Sequence, residues 1–257
     1  MALVPIGADS VWVEDTGGTG VPIVLLHPGI TDSTIWDRLL PLLGDRRLVR
    51  FDRRGFGQSP IATEEFQAMA DLVAVLDHLG ADRAHLVGNS MGGETSLALA
   101  VSTPQRVASM TLLCPGIGGY PWPDPTADEQ DLYDRYRAAQ QAKDVGTLVE
   151  IGLGEWCRCG ADDHLSDQMR RTTEVGFVQD DLEQPNPEQW DRLDSLDLPT
   201  TVIAGERDPA DSLRASLDLA EKITGAELVR LDVDHLPQYR DPDAVAAAVL
   251  RTVSRSA

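Results

Sequence analysis

His85-Leu86-Val87-Gly88-Asn89-Ser90-Met91-Gly92-Gly93-Glu94 is the stretch that decides how this 257-residue chain is read. A β-rich run (Ala84 to Val87) meets a helix-forming run (Thr95 to Ser102), with a glycine two positions either side of a serine. Such a Gly-x-Ser-x-Gly turn holds its serine in a strained backbone conformation, the hydroxyl standing at the carboxyl end of a strand. Only small residues at the flanking positions let strand and helix approach that closely, and Gly88, Gly92 and Gly93 meet the demand. The Met91 amide then falls at a helix amino terminus, where partial positive charge gathers.

Working outward, apolar runs alternate with helical patterns. Val11 to Val13 reads as an early strand closed by Asp15-Thr16-Gly17-Gly18, and Val21 to Leu26 as a strand buried on both faces. The second run ends in His27-Pro28-Gly29-Ile30, and Asp32 or Ser33 is placed to cap a helix carrying Ile35, Trp36, Leu39 and Leu40. Leu48 to Phe51 is the next strand, opening into Asp52-Arg53-Arg54-Gly55-Phe56-Gly57-Gln58-Ser59; Glu64 to Leu79 reads as a helix. Arg53 and Arg54 are read as structural, packed under that loop. Val107 to Cys114 is a further apolar strand. This alternation predicts an α/β fold with a mostly parallel central sheet flanked by helices.

From Pro115 the pattern changes. A linker rich in Gly and Pro leads to helix-like segments over Asp128 to Ala142 and Val145 to Glu155, with no clear strand before Pro199. Residues 117–196 hold 18 acidic and 7 basic residues, a net −11, and read as an acidic helical insertion. The α/β pattern returns with a strand over Leu198 to Ala204, followed by Gly205-Glu206-Arg207-Asp208-Pro209, a helix, a strand over Glu227 to Leu231, the loop Asp232-Val233-Asp234-His235, and a last helix. The expected division is a core of residues 1–116 and 197–257 with a cap over 117–196.

The net charge of −20 argues against nucleic acid and anionic membrane surfaces as partners. No basic-then-apolar start and no apolar run near 18 residues is present, so neither a signal peptide nor a membrane span is expected. Three cysteines form no disulfide framework and suit the cytoplasm. Cys157-x-Cys159, with Asp162, Asp163 and His164 behind it, is tighter than zinc spacing and has no second cysteine pair, so no metal is expected.

A serine hydroxyl needs a base within reach to act as a nucleophile. Of five histidines, His235 is best placed, in a loop between a strand and the final helix. Its imidazole needs a carboxylate to fix the tautomer. Asp208, after a buried-type strand, is the first choice; Asp211, Asp232 and Asp234 compete, read as helix-cap and surface residues.

The order Ser90, Asp208, His235, together with the His27-Pro28-Gly29 loop, the 52–59 stretch, the elbow and His235-Leu236-Pro237, resembles the α/β-hydrolase superfamily with a helical cap. The resemblance spans nearly the whole chain. It implies a Ser90–Asp208–His235 triad and an oxyanion hole built from the amides of Met91 and Gly29. Ile30 is the alternative to Gly29, because this chain has His-Pro where the common pattern has His-Gly. It implies a serine hydrolase acting on an ester, lactone or related acyl compound of small size, with no cofactor and an oligomeric state left open. Similar sequences include enol-lactone hydrolases, small esterases, cofactor-free perhydrolases and C–C hydrolases of ring-cleavage products. The Gly88-Asn89-Ser90-Met91-Gly92-Gly93 spelling resembles the last group, whose usual tryptophan after the histidine is here Leu236. A triad-bearing ligand sensor with little turnover is the alternative of a different class. Trp122, Trp156, Phe177 and Trp190 are candidates to line a pocket beneath the cap. Of the cap cations, Arg135, Arg137, Arg158, Arg170 and Arg171 are candidates to hold a substrate carboxylate, and the acidity of the insertion predicts that most are paired on the surface.

Overall fold

The computed structural model describes residues 1–256. Eight strands form one sheet in the order β1-β2-β4-β3-β5-β6-β7-β8: β1 Ala2–Ile6, β2 Asp9–Asp15, β3 Ile23–Leu26, β4 Leu48–Phe51, β5 Ala84–Asn89, β6 Val107–Leu113, β7 Thr200–Gly205 and β8 Glu227–Leu231. The β1–β2 and β2–β4 pairs are antiparallel and all later pairs parallel. The first strand is absent from the reading of the sequence. It forms a hairpin with β2 across Gly7, which takes φ +61°.

Alternate residues of β3 and β5 feed opposite faces, which explains their unbroken apolar runs. Val24, Leu26 and Leu86 pack with Leu72, Leu76, Leu97 and Leu219, from helices α1 (Ala68–His78), α2 (Met91–Ser102) and α6 (Ala210–Lys222). On the other face Ile23, Leu25 and Val87 pack with Trp36, Leu39, Val245 and Val249. Val245 and Val249 belong to the last helix, which follows the short α7 (Pro237–Arg240) as α8 (Pro242–Ser254) once α3 to α5 are counted in chain order. Each fully buried Leu or Ile here contributes about 1.5–3 kcal/mol. Trp36 ends one short 3-10 turn and Leu39 caps the start of a second, in place of the expected helix. Pro41 sits at the start of the second turn, and Gly44 at φ +71° ends it.

Between β6 and β7 the chain leaves the sheet for α3 (Ala127–Ala142), α4 (Val145–Trp156) and α5 (Asp163–Gln179). Thr126 and Glu129 form a capping box at the start of α3, and Asp144 and Asp162 cap α4 and α5. Helix α5 is missing from the reading of the sequence because its inward face is half glutamine: Leu165, Gln168, Met169 and Gln179 are its buried residues. Those glutamines tie it to the core. Gln168 Nε2 donates to Asp32 Oδ1 (2.7 Å), while Gln179 Nε2 donates to the Arg54 carbonyl (2.6 Å) and its Oε1 accepts from the Ala62 amide (3.0 Å). No described helix is long and apolar enough to cross a membrane.

Candidate active site

Ser90 is the single residue between β5 and α2, held at φ +52° and ψ −116°. The surrounding glycines are required by space. A Cβ on Gly88 would collide with the carbonyl of Gly92, one on Gly92 with the carbonyl of Leu26, and one on Gly93 with Pro115. The Ser90 amide donates to the Leu113 carbonyl (3.0 Å), and the Ser90 carbonyl accepts from Glu94 and Gly116 (3.0 Å each). A backbone this strained persists because strand, helix and following loop all fix it.

His235 is buried in the loop after β8, and its Nδ1 lies 2.9 and 3.0 Å from the two oxygens of Asp208, in the loop after β7. That distance makes Nδ1 the protonated nitrogen facing a carboxylate acceptor and leaves Nε2 free to take a proton. Among the described residues no hydrogen bond joins the Ser90 hydroxyl to His235. Such contacts commonly tighten only once substrate is bound. The two loops are instead joined through the residue before the serine: Asn89 Nδ2 donates to the carbonyls of His235 (3.0 Å) and Leu113 (2.8 Å). Gln238 Nε2 donates to Asn89 Oδ1 (2.9 Å), and both amide side chains are fully buried. Neither Asn89 nor Gln238 stands out in the sequence as a site residue. Their only signal is an amide beside a nucleophile and another beside a base.

The competing acids separate cleanly. Asp211 accepts from the amide of Ser212 at the start of α6, and Asp232 pairs with Arg207 at the surface (2.7 Å). Asp234 corrects the expectation of a surface residue, being fully buried. It binds Arg240 (2.7 Å), accepts the Cys159 amide (2.8 Å) from the loop between α4 and α5, and so clamps the cap to the histidine loop.

The amides of Met91, Gly29 and Ile30 donate to no acceptor among the described residues. The loop carrying the last two is braced by His27, whose Nδ1–H donates to the Pro28 carbonyl (2.8 Å) while Nε2 accepts the Arg53 amide (3.0 Å). Burial lowers the pKa of His27, which suits that neutral, single-tautomer role. Gly29 abuts the side chain of Met91 so closely that a Cβ there would strike its sulfur. The two segments that carry the free amides are therefore in contact.

Cys114 is buried beside the Asp208–His235 pair. Its thiol lies with a carboxylate oxygen of Asp208 and a ring nitrogen of His235 in a group whose members are within 4.8 Å of one another. Burial, then the Asp208 charge, pushes the thiol pKa well up, so it stays protonated. This is the one grouping of three metal-ligating side chains among the described residues. Its carboxylate and imidazole bind each other and its thiol keeps its proton, so its chemistry does not suit a metal. Cys157, Cys159, Asp162, Asp163 and His164 do not converge.

Between core and cap lies a cavity of about 690 Å³. Gly29, Met91 and Glu94 line its core side, and Trp156, Met169 and Phe177 its cap side. Ser90 and His235 do not line it; the Trp156 ring, 4.4 Å from the His235 ring, stands at that end. Trp122 lines a separate surface hollow of about 370 Å³, and Trp190 packs edge-on against Tyr120. The ionisable carboxylates of the lining are Glu94, Asp180, Glu183 and Glu188, and no Lys, Arg or His is among the lining residues. Arg135, Arg137 and Arg158 pair with Glu150, Asp134 and Glu155, and neither Arg170 nor Arg171 reaches the cavity.

Residues 22–242 match the family model described as alpha/beta hydrolase fold, and the chain belongs to this family. It is a hydrolase of that family. It is 28% identical to a 2-hydroxy-6-oxononadienedioate/2-hydroxy-6-oxononatrienedioate hydrolase of Klebsiella pneumoniae subsp. pneumoniae, over 96% of this chain and 91% of that one. Among solved structures it is similar to Est816, described as an N-acyl homoserine lactone degrading enzyme (29% identity, TM-score 0.78, 97% of this chain and 99% of that one). A hydrolase from Pseudomonas aeruginosa matches at 25% identity and TM-score 0.79, over 98% and 97% of the two chains.

Proposed function

We propose that the chain is a serine hydrolase of small uncharged esters or lactones, working through an acyl-serine intermediate. The observation that carries this reading is the buried Asp208–His235 pair, held by Asn89 against the elbow that presents Ser90. His235 Nε2 takes the Ser90 hydroxyl proton as Oγ attacks the substrate carbonyl, and Asp208 stabilises the resulting imidazolium through Nδ1–H. The oxyanion rests on the amides of Met91 and Gly29, with Ile30 the alternative to Gly29. Each such donor is worth roughly 3–4 kcal/mol in comparable sites. Collapse expels the leaving group, which takes the proton back from Nε2; a water activated by the same nitrogen then frees the acid.

The 117–196 segment serves as the lid of this site. The cavity beneath it argues for uncharged substrates, since a carboxylate entering it meets carboxylates. That separates this chain from the Klebsiella relative, whose named substrates are dicarboxylates, and leaves C–C hydrolysis of such compounds as the weaker reading. The net charge of −20 and three free cysteines support a cytoplasmic enzyme that engages a small molecule rather than nucleic acid or membrane.

A fluorophosphonate should label the native protein and fail on a folded Ser90→Ala variant, which should also lose turnover of p-nitrophenyl butyrate. Labelling that survives the substitution overturns the assignment. Labelling without multiple turnover on any neutral ester or lactone would favour a ligand sensor.

A further inference from the structure

Arg53, from the core rather than the cap, touches three residues of the lining. It is 7% exposed. One guanidinium nitrogen donates to the Met91 sulfur (3.3 Å) and another to a carboxylate oxygen of Glu183. The Nε–H is buried with no acceptor, and the guanidinium carbon lies 5.5 Å from the centre of the Phe56 ring. Met91, Phe56 and Glu183 all line the cavity, so the guanidinium stands directly behind three of its wall residues. Glu183 belongs to the segment that returns from the cap. Its backbone is fixed independently of its side chain: the Phe66 amide donates to the Leu182 carbonyl (3.0 Å), and the Gln184 amide donates to the Phe66 carbonyl (2.7 Å).

We propose that Glu183 is a built-in counter-ion occupying the position a substrate carboxylate would take at Arg53, and that this pair sets the enzyme's selection against anionic acyl groups. The inference rests on the ester or lactone reading above and names the residues that fix its charge preference. A guanidinium with an unused buried donor, facing a wall beside the Ser90 elbow, has the donors an anion needs. Glu183 satisfies the charge from within the chain, so an incoming anion gains no partner and adds to the repulsion from Glu94, Asp180 and Glu188. Removing the Glu183 charge leaves a buried cation without its partner and makes a substrate carboxylate its replacement. A hydrogen bond between charged partners changes an equilibrium by about 10- to 100-fold.

The test compares kcat/KM for p-nitrophenyl butyrate and the mono-p-nitrophenyl ester of glutaric acid, which differ by one terminal carboxylate. Wild type should prefer the neutral ester. Glu183→Gln should raise the anionic-to-neutral ratio at least 10-fold, and adding Arg53→Met to it should abolish the gain. Asp180 lies in the field of both Arg53 and Glu183, so Glu183→Gln with Asp180→Asn covers the case in which Asp180 takes over the pairing. An unchanged ratio in both the single and that double variant overturns the proposal, as does a gain that persists without Arg53. If wild type hydrolyses neither ester, the ester reading has failed, and calorimetry still reads this inference. Glutarate should bind Ser90→Ala with Glu183→Gln at least 10-fold more tightly than Ser90→Ala alone, and equal binding sinks it.

Discussion

The loops after β7 and β8 each offer a buried aspartate to the neighbourhood of His235, and the two do different work. Asp208 faces an imidazole, a partner whose charge changes in the proposed reaction. Asp234 faces the guanidinium of Arg240, whose charge is permanent, and takes the Cys159 amide of the cap as a second donor. Burial alone therefore does not distinguish the two. What distinguishes the pair is whether the carboxylate's charge is already matched: Asp234 is matched in every state, while Asp208 is matched only when His235 holds two protons. A third aspartate, Asp232, forms an equally short ion pair with Arg207 (2.7 Å) but does so in solvent.

Replacing each acid by its amide sharpens this contrast. Asp208→Asn should lower kcat by up to ~10⁴-fold, by favouring the wrong tautomer, while the protein stays folded. Steady-state kinetics beside a melting curve measures the split, and a variant with near-normal kcat removes Asp208 from its proposed role. Asp234→Asn should act the other way round. Breaking a buried pair from one side costs about 3 kcal/mol at the low end of its range, so chemical denaturation should show the loss, with a smaller fall in kcat than for Asp208→Asn. The contrast breaks if Asp234→Asn is the more damaging to kcat at full stability. Asp232→Asn should leave both the melting temperature and kcat within error of wild type, since an exposed pair gains little against water. A clear kcat defect there would mean that its loop is coupled to His235 in a way the hydrogen bonds do not reveal.

Where the sequence was legible, the signal was local. Apolar runs for β3, β5, β6 and β7 stood out because strands of a covered parallel sheet need both faces apolar, and Gly88-x-Ser90-x-Gly92 because no larger residue fits. Elements held by polar contacts at a distance were not legible. Helix α5 hides behind two buried glutamines whose acceptors, Asp32 and the Arg54 carbonyl, lie more than 120 residues earlier in the chain. Arg53 and Arg54 are adjacent and indistinguishable by local pattern. Arg54 is enclosed by Asp71 (2.8 Å) and Asp9 (2.6 Å), whereas Arg53 turns to Glu183 from the far side of the cap.

The sequence by itself determined the α/β alternation, the strained serine elbow and the order of its candidate partners, because each follows from local sterics or from periodicity. The tertiary structure decided which aspartate meets His235 and which anchors the cap, that Asn89 joins the elbow to the histidine loop, and that four carboxylates line the cavity between core and cap while the guanidinium of Arg53 behind its wall is already paired. Those outcomes depend on distances of a few ångströms between residues far apart in the chain, where a one-turn shift exchanges one partner for another, and no local pattern encodes them.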